Sequence, residues 1–180
     1  TMLPVYKDGT PLCMTEKYAD EPNAYIKLWK HHAAQDQASR LNSIAEMRGE
    51  SFLKRYGGKI SSEWLIPKIM ETLEEASEVY EDTYSFMEAA DWIVMQLCGV
   101  MARNTCCAGY KALWSKELGY PDESFFKALD PRLEKLTSEK LKGEIMPIGS
   151  RQGFLTEEMA ERLGLTTKVA VAVGNVDAHV

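Results

Sequence analysis

Residues 168–173 (KVAVAV) form the most continuous apolar strand-like run in the chain, too short for a helix and rich in β-branched residues. Such a run reads as a strand buried on both faces, the kind that needs helices packed on either side of a sheet. It is followed by Gly174, Asn175, Val176 and Asp177, where the chain must turn. Most of the remaining apolar residues recur at spacings of three and four, the period of amphipathic helices. Strand and helices together predict an α/β fold.

The balance of the 180 residues, 45% hydrophobic and 27% charged, suits one globular core and one domain. No stretch approaches the roughly 18 consecutive apolar residues of a membrane-spanning helix. The net charge is -6, from 21 basic and 27 acidic residues, and neither sign forms a block. A nucleic-acid backbone is therefore excluded as the expected partner. The four cysteines, Cys13, Cys98, Cys106 and Cys107, contain no C-x-x-C pair. They read as small buried hydrophobes in a reducing cytoplasm, without a disulfide framework or zinc ribbon. The chain opens Thr-Met and closes just past its most apolar strand, so it reads as a piece of a longer protein.

Residues 2–14, turning at Asp8-Gly9, predict a hairpin near a sheet edge, given Pro4 and Pro11. Asn23 is the expected cap of a long helix over 24–48. After the Gly57-Gly58 loop a second helix opens near Ser61 and Ser62, with Pro67 starting or kinking it. Ile66, Ile69, Met70, Leu73, Ala76 and Tyr80 form its apolar face, and Glu71, Glu74, Glu75, Glu78 and Glu81 its solvated one. Residues 86–98 predict a core helix closed by Gly99. Residues 100–120 break the period and mix polar with aromatic side chains, as a pocket-forming loop would. A short helix over 121–129, a charged helical or looped stretch over 130–143 and a strand at 145–149 follow. Thr156 then caps a helix that Gly164 ends.

Asp177 is the sharpest candidate for chemistry. The carboxyl ends of buried strands open onto the ligand crevice of α/β sheets, and a carboxylate there can take a proton from a substrate hydroxyl. The same residue can equally cap its own turn. His179, two residues on, adds an Asp-x-His metal reading without a third ligand. His31 and His32 beside Trp29 could offer ring donors and an aromatic wall to a polyol, or simply bound the core. Lys111 carries three donors for a hydroxyl or carbonyl oxygen.

Five segments in order, LWKHHAAQ (28–35), YGGKISSEWLIPK (56–68), ADWIVMQLCG (90–99), CCAGYKALW (106–114) and VGNVDAHV (173–180), resemble the FGGY carbohydrate kinases from end to end. Related sugar kinases more often carry Trp-x-Asp-x-Arg where this chain has Trp29-Lys30-His31-His32-Ala33, which points to the ribulokinase branch. The resemblance implies a partial ribonuclease-H-like domain of the actin and hexokinase type, a mixed sheet with flanking helices. Residues 1–180 would be part of the N-terminal, sugar-binding domain, without the N-terminal phosphate loop or the C-terminal ATP-binding domain.

It further implies ATP-dependent phosphorylation of the terminal hydroxyl of L-ribulose or a related pentulose. Asp177 matches the general base, while Lys111, Trp29, His31 and His32 match substrate-binding positions. ATP and Mg2+ would serve the full-length enzyme, with no cofactor on this piece, which alone would be inactive. The resemblance leaves room for a homodimer in the full-length protein and calls for no nucleic acid or membrane. The competing readings are a non-catalytic sugar-binding or actin-like interaction module, and a metal-dependent hydrolase using Asp177 and His179.

Overall fold

In the computed structural model, which describes residues 1–177, the first strand β1 (Met2–Val5) does not fold back on the residues that follow it. It pairs antiparallel with β2 (Ser85–Glu88), Met2 opposite Glu88 and Val5 opposite Ser85. The Asp8-Gly9 turn exists, with the Tyr6 N–H donating to the Thr10 carbonyl at 2.9 Å. Its return arm holds only a Val5–Pro11 bridge, because Pro11 has no N–H to continue a ladder. The expected hairpin over 2–14 is thus reduced to a turn.

The expected helix over 24–48 is confined to α1 (Gln35–Arg48), which ends at Gly49 in the left-handed conformation, φ 68°. Upstream the chain is drawn into tertiary contacts that a helix could not make. Met2 and Lys27 exchange backbone hydrogen bonds at 3.0 and 2.8 Å. Asn23 caps no α-helix, and its side chain instead accepts from Lys27 Nζ at 2.7 Å. The second predicted helix divides at Ala76 into α2 (Leu65–Glu75) and α3 (Ser77–Asp82), with Pro67 in the first turn, where its missing N–H costs nothing. Ile66, Ile69, Met70 and Leu73 are buried as the period requires. Glu71 departs from the solvated face: it is 1% exposed and ion-paired to Lys27.

Residues 86–98 begin as strand β2 and become helical only at α4 (Ala89–Cys98), closed by Gly99. Within the expected loop lie β3 (Ala102–Asn104) and α5 (Thr105–Lys111). The Asn104 side chain starts α5 by accepting from the Cys107 N–H at 2.7 Å. The chain continues through α6 (Glu123–Leu129), α7 (Leu136–Lys140), β4 (Glu144–Met146) and β5 (Arg151–Phe154). Thr156 caps α8 (Glu157–Leu163), Gly164 ends it, and β6 (Ala170–Ala172) follows.

The fold is α/β, but its mixed sheet is drawn in three two-stranded ladders: β1–β2 and β5–β6 antiparallel, β3–β4 parallel. The run that promised a strand buried on both faces is covered on one. In β6 only Val171 is buried, with Ala170 and Ala172 exposed, because among the described residues β6 pairs only with β5 and packs one face against α4. The main core gathers Leu41, Ile66, Ile69, Phe86, Phe125 and Leu133 among others. Helix α4 walls two smaller clusters, with Val94 and Cys98 toward Leu155 and Val171, and Met95 toward Leu3, Val5 and Met87.

Candidate functional site

A cleft of about 700 Å³ opens where the first turn of α4, the last turn of α5, Glu63-Trp64, Trp29 and residues 175–177 converge. Trp29, Lys111 and Asp177, far apart in sequence, all line it. Each is delivered by a different device. Asp177 follows β6 through Gly174, whose backbone lies so close to α4 that an added Cβ would sit 2.9 Å from the Ala90 carbonyl oxygen. Only glycine allows that approach. Lys111 ends α5, where its Nζ meets Glu88 Oε2 at 3.3 Å. Burial is the largest single influence and pulls this ammonium down, but the charge and hydrogen bond of Glu88, with smaller contributions from its neighbours, together outweigh it, and its pKa lies above the ordinary lysine value. Trp29 is 63% exposed and stands at the cleft as a wall.

Trp64 lengthens the aromatic lining, packing edge-on to Tyr56 at 4.9 Å and tilted against Tyr110 at 5.5 Å. Cys107 also borders the cleft, yet burial pushes its thiol up to about 12 and removes it as a nucleophile at neutral pH. Under the cleft lies Lys68, 0% exposed, its Nζ donating to the Leu28 carbonyl at 2.7 Å. Burial lowers its pKa to about 8, with the charges of Glu88, Lys111, Glu63 and Glu71 acting on it.

The two histidines part company. His31 Nε2 lies 2.9 Å from both carboxylate oxygens of Glu71, in a separate cavity that also borders Lys27 and Asn23. His32 pairs with Glu63 at 3.5 Å, and it is Glu63 that lines the cleft. His179 lies outside the described residues. Sequence reasoning passed over Glu88, Glu63, Trp64 and Lys68. One of them carried a signal: Lys68 interrupts the apolar run LIPKIM.

Among the described residues no three His, Cys, Asp or Glu side chains gather in a way that could hold a metal ion. Nor is any helix there long and apolar enough to cross a membrane. All four cysteines are unbridged.

No family model matches the chain. Individual relatives do. It is 60% identical over 179 residues to a ribulokinase of Halalkalibacterium halodurans, covering 99% of this chain and 32% of the relative. A ribulokinase of Bacillus licheniformis is 59% identical over 180 residues, covering 100% of this chain and 33% of the relative. The chain thus spans about a third of the length of the curated relatives it matches.

Among solved structures, a gluconate kinase from Lactobacillus acidophilus superposes with a TM-score of 0.66 at 17% identity, covering 84% of this chain and 29% of that one. A ligand-bound xylulose kinase from the same organism gives 0.65 at 16% identity, with the same coverage. These two establish the fold, that of a part of the sugar kinases. With the sequence identities beside it, the chain is homologous over its whole length to about a third of the length of the ribulokinases it matches.

Proposed function

We propose that this chain is the sugar-binding part of a full-length kinase that transfers the γ-phosphoryl group of ATP to the terminal hydroxyl of L-ribulose or a related pentulose. The observation that carries this reading is the convergence of Asp177, Lys111 and Trp29 on one cleft in a chain homologous throughout to ribulokinases. In the proposed reaction Asp177 takes the hydroxyl proton as that oxygen bonds to the γ-phosphorus, and ADP leaves with the β–γ bridging oxygen. Lys111, held by Glu88, donates to a sugar oxygen, and Trp29 packs on the C–H face of the sugar.

His32 enters this scheme through Glu63 at the cleft rim, and His31 through Glu71 behind it. The domain reading follows: residues 1–180 form part of an N-terminal kinase domain. The nucleotide and its Mg2+ are assigned no residues here, since the sequence carries no glycine-rich phosphate loop and the described residues no metal-ligand group. A reducing cytoplasmic setting agrees with the unbridged cysteines. The homodimer stays part of the proposal, to be read from the mass of the full-length protein in solution.

The test is turnover. The full-length protein should release ADP in the presence of L-ribulose, and the 180-residue chain alone should not. Asp177→Asn in the full-length protein should lose phosphoryl transfer while calorimetry still detects sugar binding. Retained turnover in that variant removes Asp177 as the base.

A further inference from the structure

Helix α2 reaches the segment carrying Trp29 at three points. Lys68 Nζ donates to the Leu28 carbonyl at 2.7 Å. One turn further on, Glu71 Oε2 accepts from Lys27 Nζ at 2.6 Å and from His31 Nε2 at 2.9 Å. The same Leu28 carbonyl also accepts from the His31 N–H at 3.0 Å, closing a turn in which Trp29 is the second residue. Residues 27, 28 and 31 therefore bracket Trp29, and each is tied to α2.

Lys27, Lys68 and Glu71 do not line the cleft, and their burial is deep, with Lys27 at 5% exposure above the fully covered Lys68 and Glu71. Taking charged side chains out of water opposes folding, and apolar groups of similar size often fill such space with equal or greater stability. What the network supplies is geometry. The Trp29 ring is mostly exposed and gains little hold from its own packing, so its direction depends on the backbone beneath it.

We propose that α2 acts as a splint for the Trp29 turn, with Lys68 and Glu71 as positioning residues that hold the aromatic wall at the angle the sugar requires. The proposal rests on the reading of the cleft as a sugar site. It assigns His31 to the splint through Glu71.

The experiment uses the full-length protein with Lys68→Met, and reads amide hydrogen exchange over residues 27–31 beside KM and kcat for L-ribulose. The expected result is exchange about tenfold faster and KM raised about tenfold, with kcat within about twofold of the parent. A folded Lys68→Met protein with parental exchange and parental KM overturns the proposal, as does a fall in kcat with KM unmoved. Should that variant not fold, His31→Gln removes the more exposed end of the same network, and unchanged exchange over 27–31 overturns the splint equally. If the parent turns over no pentulose, the sugar reading of the cleft fails, while the exchange measurement still decides whether α2 holds the turn.

Discussion

Asp91 Oδ1 accepts two hydrogen bonds from Asn104, one from its backbone N–H at 2.9 Å and one from its side-chain amide at 2.6 Å. Asn104 in turn caps α5, so a single carboxylate oxygen on α4 fixes the start of the helix that ends at Lys111. Asp91 is 1% exposed, and its other oxygen has no hydrogen-bond partner among the described residues.

Burial raises the Asp91 pKa to about 6, against the opposing pull of the Arg103 charge and the Asn104 hydrogen bonds, with Glu88 adding to the rise. A carboxyl that is a weaker acid when folded binds more protons in the native state. Its contribution is therefore fully present below about pH 4 and lost as pH rises through about 6. Asp91→Asn keeps the Oδ1 acceptor and removes the ionisation. Urea unfolding from pH 4 to 7 should show wild type losing about 2–3 kcal/mol relative to the variant across that window. Parallel curves would mean that Asp91 ionises as freely in the folded protein as in the unfolded chain.

Glu88 is the ion-pair partner of Lys111 at the cleft, and the two sit on different elements, β2 and α5. In the full-length protein Glu88→Gln should free the lysine to swing, raising KM for L-ribulose about tenfold or more, while Lys111→Met should weaken sugar binding further. Steady-state kinetics and calorimetry check both. Equal sugar affinity in Lys111→Met and parent would take Lys111 out of the sugar site.

Gly174→Ala puts a methyl group 2.9 Å from the Ala90 carbonyl oxygen, with Val94 Cγ2 at 3.4 Å behind it. Backbone has to move on one side or the other. The expected cost is about 1–3 kcal/mol in thermal or urea unfolding, with a loss of turnover in the full-length protein as Asp177 shifts away from the cleft. Unchanged stability would show that α4 and the 174–177 turn separate more easily than their contact distance suggests.

Much of the fold was legible where local chemistry decides it. Gly49, Gly99 and Gly164 close helices in the left-handed conformation, and Thr156 starts one, as their residue types demand. The errors fell where tertiary contacts override local preference. Periodicity over 24–34 favours helix, yet Met2 captures Lys27 as a bridge partner and Lys68 captures the Leu28 carbonyl. Phe86 and Met87 fit a helical face equally well, and only β1 makes them a strand.

Asp177, Lys111 and Trp29, singled out in the sequence, line one cleft. Glu88 was not singled out, because an acid in an apolar run gives no hint of its lysine 23 residues away. The burial of Glu71 was hidden for the same reason: its partners Lys27 and His31 lie 44 and 40 residues upstream, outside any periodic window.

Helix α4 also divides the molecule energetically. One of its sides supports Leu3, Val5 and Met87, while the other supports the small cluster of Leu155, Ala160 and Val171 that carries the chain on to Asp177. That cluster has few apolar partners beyond Val94 and Cys98, whereas the main core draws on some twenty buried side chains. Local opening therefore costs less in the unit formed by β5, α8 and β6 than in the main core. The carboxylate proposed to accept the proton rides on this small cluster, while its lysine partner ends a helix that runs straight into the main core at Ala112 and Leu113.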